Sequence, residues 1–289
     1  MKHSVSITLI ILATFLLAQF IGLAVLYKYI DPAKSREEGK TVFKDLPIGE
    51  RPPVNENTSF IPIIIAVLLG TGLMLLLIKY RWVLVWKVWF LLAVIIALTV
   101  AWSVFVAPIF AFLLALIVGI WKVFKPNVWV HNLTELFIYG GLAAIFSPLF
   151  NLTSVSILLI LIAIYDAYAV WKSKHMVTLA KSQTDAKVFA GLLIPYTLGK
   201  IAPVKRTLRK IKVRTAILGG GDIGFPLIFA GVVLKEIGLW QSVVIPFFAL
   251  AGLALLLFTA DEKKFYPAMP YISAGCFLGL GVVWLIGML

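Results

Sequence analysis

Residues 217–226 read ILGGGDIGFP, one carboxylate, Asp222, set among glycines in a segment with no other charge. Gly219, Gly221 and Gly224 stand at G-x-G-x-x-G spacing. A dinucleotide fingerprint needs a preceding strand, a following helix and an acidic residue about twenty positions on, inside a soluble βαβ unit. None of that context is visible in the sequence. The remaining readings are a loosened membrane helix and a catalytic site.

Composition chooses the setting. The chain has 289 residues, 62% of them hydrophobic and 13% charged, and a mean hydropathy of +1.03. That is far more apolar than a soluble domain. A spanning helix takes about 20 mainly apolar residues, and lipid offers the backbone no hydrogen bonds, so only helices or a closed barrel can cross. The apolar runs are too long for barrel strands. Nine runs stand out, near 5–28, 60–79, 82–102, 104–121, 132–150, 152–171, 214–234, 239–260 and 268–289. The expected fold is therefore an all-α membrane protein of nine transmembrane helices. The first run exceeds a signal-peptide core and lacks a small-residue cleavage site, so it is read as a retained span. No internal repeat supports duplicated transporter halves. The chain divides into a six-helix part, 1–171, a polar loop, 172–213, and a three-helix part, 214–289.

Charge sets the direction. With the N-terminus inside, the inner segments collect Lys2, Lys79, Arg81, Lys87, Lys122, Lys125, every basic residue from Lys172 to Arg214, and Lys263 and Lys264, most of the 26 Lys and Arg. The outer loop 29–59 mixes basic residues with Asp31, Glu37, Glu38, Asp45, Glu50 and Glu56. The positive-inside rule thus places the N-terminus and the 172–213 loop in the cytoplasm and the C-terminus outside. The formal charge of +13 follows from that topology and an anionic leaflet, and does not call for nucleic acid. Within the loop, 188–203 (VFAGLLIPYTLGKIAP) is apolar but broken by Pro195, Gly199 and Pro203, which suggests an interfacial or mobile segment.

Two carboxylates, Asp166 in LIAIYDAYAVW and Asp222, lie well inside expected spans, whereas Glu135 sits near a helix mouth. Asp166 precedes Lys172 by six residues and Asp222 follows Arg214 by eight. At about 1.5 Å per residue, both lie roughly 9–12 Å below the same cytoplasmic face. An ionised Asp at such depth costs about 2.5–3.5 kcal/mol on insertion scales and usually faces a wet cavity or a partner. The plainer reading is a structural polar contact, but two acids at one depth, one among glycines, fit it poorly. Two close carboxyls cannot both ionise, so they share a proton. One can activate water while the other donates to a carbonyl oxygen, which is aspartyl proteolysis.

Other hydrolytic machinery is absent from the pattern. His3, His131 and His175 are scattered over a terminus and loops, with no H-E-x-x-H pair for zinc, so neither a metal nor another cofactor is expected. No expected span pairs a serine with a histidine. Cys276 is the sole cysteine, read as packing. The main alternative is a secondary transporter or channel using the same aspartates as proton or cation sites. A third reading is an inactive scaffold for membrane helices.

Tyr165–Asp166, the G-x-G-D pattern Gly219–Gly220–Gly221–Asp222 and the PAMP stretch Pro267–Pro270, in this order on the sixth, seventh and ninth runs, resemble the three signatures of the presenilin and signal peptide peptidase family of intramembrane aspartyl proteases. The resemblance covers about 155–289, and the first five spans only by topology. It implies that Asp166 and Asp222 are the catalytic pair, with Tyr165, Gly219, Gly220, Gly221, Pro267, Ala268 and Met269 supporting the site. Met269 stands where the usual signature has leucine, and Gly220 is an unusually small residue at the variable position.

The implied chemistry is hydrolysis of peptide bonds within or near the transmembrane helices of membrane-protein substrates, without a cofactor. Around Asp222 the glycines lower helix stability by about 1 kcal/mol each relative to Ala and let another backbone approach. A helical substrate must be unwound and held extended, for instance as an added strand. Gly231 is read instead as helix packing. The inferred orientation matches presenilins and favours type I single-span substrates. The expected protein is a presenilin-like, prokaryotic homologue, multi-pass in the cell membrane, in contact with lipid and with no nucleic-acid partner; a homo-oligomer is left open.

Overall fold

A computed structural model describes residues 4–173, 188–195, 215–261 and 265–287. The helices are α1 (Val5–Tyr29), α2 (Pro32–Glu38), α3 (Phe60–Lys79), α4 (Val83–Trp102), α5 (Pro108–Phe124), α6 (Val128–Phe146), α7 (Leu152–Trp171), α8 (Gly220–Glu236), α9 (Leu239–Thr259) and α10 (Met269–Gly287). A 3-10 turn, Ser147–Leu149, follows α6, and two strands, β1 (Gly191–Pro195) and β2 (Thr215–Gly219), lie between α7 and α8. His3, His175, Lys263, Lys264 and most of the 172–213 loop fall outside the described residues.

Among the described residues six helices, α1, α3, α4, α7, α9 and α10, are long and apolar enough to cross a membrane. The α5 helix is apolar but shorter, α6 carries His131, Asn132 and Glu135, and α8 carries Asp222. The protein is an integral, multi-pass, helical membrane protein. Its outer apolar side chains, such as Leu69, Leu84 and Phe110, suit contact with lipid.

The expected run 214–234 is not helical throughout. Residues 215–219 are strand β2, and α8 begins only at Gly220. β2 pairs antiparallel with β1, Gly191 opposite Gly219 and Pro195 opposite Thr215, so the piece of the loop expected to be interfacial or mobile is a β-strand over 191–195. Five-residue apolar runs read equally well as the end of a buried helix, which is why the hairpin is hidden in the sequence. A strand, a glycine turn and a helix do follow one another here, but the sheet has two antiparallel strands, not the parallel βαβ unit that a dinucleotide site requires. Helix α6, which answers to the fifth expected span, 132–150, also starts earlier than its apolar run, at Val128, and ends at Phe146. Asn127 caps it by accepting the N–H of Trp129. His131, expected in a loop, is therefore helical and buried.

At the centre of the bundle, α8 contacts α1, α6, α7, α9 and α10, and Ile223, Leu227, Phe229, Val232 and Val233 are inaccessible. Small residues let the backbones close up, as membrane packing requires where lipid is as apolar as a side chain. A methyl at Gly252 of α9 would strike the Tyr271 carbonyl of α10, one at Gly275 the Phe248 carbonyl, and one at Gly141 of α6 the Ala97 carbonyl of α4. Gly231 conforms to its packing role, since a methyl there would collide with Ser147 Oγ. At the periphery α3 packs on α7 and α4.

Candidate active site

Asp166 is positioned by α7, whose start is fixed by a capping box between Asn151 and Ser154. Its carboxyl points into the bundle and is 7% exposed. It meets the start of α10: Met269 donates its backbone N–H to Asp166 Oδ2 at 3.0 Å, and Ala268 donates a second backbone N–H. The first N–H groups of a helix have no partner within it, and the helix dipole places partial positive charge there. The PAMP stretch is thus a pair of donors aimed at a carboxylate. Pro270 falls in the first turn of α10, where a missing N–H leaves nothing unsatisfied. Pro267 and Met269 are buried and Ala268 is half-buried. The polar contact runs through the backbone of Met269, so exchange of leucine for methionine leaves it intact.

Asp222 occupies the third position of α8, with Gly219 as the N-cap. Its carboxyl accepts the backbone N–H of Gly219, the reciprocal half of a capping box. An acid in this first turn also suits the helix dipole. Asp166 and Asp222 lie within electrostatic reach of one another, although 56 residues separate them in sequence. Tyr165 is half-buried beside Asp166 on α7.

The three glycines differ. A methyl on Gly219 would approach Asp222 Oδ2 at 3.1 Å. Gly220 donates its N–H to the Ala190 carbonyl at 3.0 Å, and a methyl there would lie 3.0 Å from Tyr139 Oη and 3.3 Å from the Ala190 oxygen. Its small size therefore serves close packing rather than a loosened helix start. Gly221 is exposed, and a methyl would meet only Phe225, at 3.5 Å. One turn on, Pro226 lies inside α8 and cannot donate to the Asp222 carbonyl. Gln19 of α1 donates from Nε2 to the adjacent Ile223 carbonyl at 2.8 Å.

A buried polar cluster beside Tyr139 went unrecognised in the sequence. Lys122 of α5 and Glu135 of α6 form an ion pair at 2.7 Å, with side chains 1% and 2% exposed. Glu135 is not at a helix mouth but inside the fold. Lys122 is presented by the end of α5, and only the register of two helices reveals the pair. A periodic signal did exist: His131, Glu135 and Tyr139 recur at four-residue spacing, one face of a helix. Among the described residues, no group of three or more His, Cys, Asp and Glu side chains is arranged to hold a metal.

Comparison with solved structures gives two extensive likenesses. A presenilin family intramembrane aspartate protease in space group C222 aligns with a TM-score of 0.63 at 19% identity, covering 96% of this chain and 99% of that one. A presenilin family intramembrane aspartate protease in space group P2 aligns with a TM-score of 0.59 at 17% identity, covering 98% of each. At these identities the likeness establishes the fold. Comparison with curated proteins gives no match. The family described as signal-peptide peptidase, presenilin aspartyl protease matches residues 43–289, a span that contains both aspartates, the glycines before Asp222 and the PAMP stretch. The chain therefore belongs to the signal peptide peptidase and presenilin family of intramembrane aspartyl proteases, and is an aspartic endopeptidase.

Proposed function

We propose that Asp166 and Asp222 together hydrolyse peptide bonds within or near the transmembrane helices of membrane-protein substrates. The observation that carries this reading is the anchoring of Asp166 by the N–H groups of Ala268 and Met269 while Asp222 stands within electrostatic reach. The pair holds one proton. The ionised carboxyl takes a proton from water as its oxygen adds to the peptide carbonyl carbon, and the protonated one donates to the carbonyl oxygen. Collapse of the tetrahedral species breaks the C–N bond, and the amine leaves with a proton returned by the pair. No cofactor enters the reaction.

A helical substrate hides its carbonyls, so it must be opened first. Among the described residues β2 pairs with β1 alone, and it runs directly into Gly219 and Asp222. An unwound segment adding to the open edge of β2 is led toward the carboxyls by main-chain hydrogen bonds. Gly221, exposed and uncrowded, leaves room for its backbone. Tyr165, Gly219, Gly220, Pro267, Ala268 and Met269 support the pair by the contacts and positions described.

The complete topology in this reading has nine crossings, α1 and α3 to α10, with the N-terminus cytoplasmic and the C-terminus outside. The pair then opens toward the cytoplasm of the cell membrane, and type I single-span substrates are preferred. A transporter or channel accounts for membrane aspartates, but not for the two helix-end donors spent on Asp166. Incubation of the purified protein with a single-span reporter in a bilayer tests the reading. Cleavage within the span supports it, and an intact reporter with ion or solute flux through the protein would replace it.

A further inference from the structure

The buried cluster on α6 makes contacts that the chemistry above does not use. Lys122 Nζ donates to Glu135 Oε1 at 2.7 Å and to Thr134 Oγ1 at 2.9 Å, and shares its third proton between His131 Nδ1 and the His131 carbonyl, at 3.2 Å each. With Nδ1 accepting, the His131 proton sits on Nε2, which donates to the Gly191 carbonyl of β1 at 2.7 Å. Asn132, the next residue, grips the same strand from its outer side: Nδ2 donates to the Leu193 carbonyl at 2.7 Å, and Leu193 N–H donates to Oδ1 at 2.9 Å. One amide side chain thereby takes the place of a neighbouring strand. At the far end Tyr139 donates its hydroxyl to Glu135 Oε2, and its ring lies against Gly220 and Gly224 of α8.

A charged pair this deeply buried is costly and seldom adds net stability over apolar packing. It does give fixed direction. His131, Asn132, Glu135 and Tyr139 connect both ends of one assembly: the outer edge of β1, and the first turn of α8 that carries Asp222. Gly191 sits at φ 146°, a conformation ordinary residues rarely adopt, and a methyl there would clash with the Leu218 carbonyl of β2. The hairpin is thus closed tightly at the end where His131 holds it.

We propose that His131, Asn132, Glu135 and Tyr139, held together by Lys122, form a cradle of positioning residues that fixes the β1–β2 hairpin and the start of α8 so that Asp222 and the open edge of β2 face the substrate. The functional part of this inference rests on the proteolytic reading above. The structural part stands by itself.

Hydrogen–deuterium exchange of the full-length protein in a bilayer tests the cradle, alongside kcat and KM for the single-span reporter. Asn132→Ala and the charge-neutral double variant Lys122→Met/Glu135→Gln should speed exchange over 191–195 and 215–219 about tenfold, the loss of roughly one net hydrogen bond, while α1 and α9 exchange as in the wild type. Tyr139→Phe keeps the ring against Gly220 and should lower kcat several-fold with KM nearly unchanged. Hairpin exchange that stays at the wild-type rate in all variants overturns the cradle. So does faster exchange spread over the whole bundle together with a lower melting temperature, which marks general destabilisation. A wild-type protein that leaves the reporter intact removes the proteolytic reading, while the hairpin exchange still decides the cradle.

Discussion

Met269 donates its backbone N–H to Oδ2 of Asp166 at 3.0 Å, across 103 residues of sequence. The contact ties the start of the last helix to the C-terminal part of α7 and uses no part of the methionine side chain. Met269→Leu should therefore retain activity within about twofold, as a near volume-conserving exchange. Met269→Pro fits the first helical position but has no N–H. Losing a hydrogen bond to a charged group costs about 1.5–3 kcal/mol, so reporter cleavage should fall roughly ten- to a hundredfold. Equal losses in the two variants would show that the side chain, not the N–H, matters.

The glycines before Asp222 separate by crowding. Gly220→Ala presses a methyl against Tyr139 Oη and the Ala190 carbonyl at 3.0 and 3.3 Å, so it should displace the start of α8 and cut kcat at least about tenfold, an overpacking cost of 1–3 kcal/mol. Gly221→Ala meets only Phe225 at 3.5 Å. It should melt at or slightly above the wild-type temperature because alanine favours the helix, and should raise KM by blocking the substrate's approach. Steady-state kinetics with thermal melting checks both.

The proposed pair of carboxyls makes a prediction in pH. On that mechanism cleavage needs one proton on the pair, so activity should be bell-shaped in pH, with both limbs belonging to the pair rather than to either residue. The rate is lost on the acid side when both are protonated and on the alkaline side when neither is. Initial rates across a buffer series at constant ionic strength check this, and a flat profile would argue against a shared proton.

Much of the candidate site was legible because its signals are local: an acid within an apolar run, glycines before it, and prolines framing Ala268 and Met269. The long apolar helices were legible for the same reason, since apolar length is a property of consecutive residues. The hairpin was not. GLLIP and TAILG are apolar five-residue runs, and their pairing spans 19 intervening positions whose composition says nothing of register. Lys122 and Glu135 were read separately, as an inner-loop charge and a helix-mouth acid, because an ion pair between two helices depends on how they turn toward each other. His131 was misplaced because the first turns of α6 mix polar and apolar residues and hide the helix start.

Orientation can be tested by labelling single cysteines in intact cells, in a Cys276→Ala background. Ser173 is exposed at the end of α7 and Glu50 is exposed in the 29–59 loop, whereas Ser59 is fully buried and unsuited to the purpose. An impermeant reagent should label Glu50→Cys and spare Ser173→Cys. The reverse pattern would invert the topology and the expected preference for type I substrates with it.

The central claim is that Asp166 and Asp222 act as one unit on a peptide bond. Purified wild-type, Asp166→Asn and Asp222→Asn proteins, each in lipid vesicles with a type I single-span reporter and their products read by mass spectrometry, test it most directly. The account predicts cleavage within the span by the wild type and a loss of at least about 10²–10⁴-fold in each variant, as expected for removal of a general acid or base, with melting temperatures close to that of the wild type. Near-normal turnover by either variant, or an uncut reporter with the wild type, would contradict it.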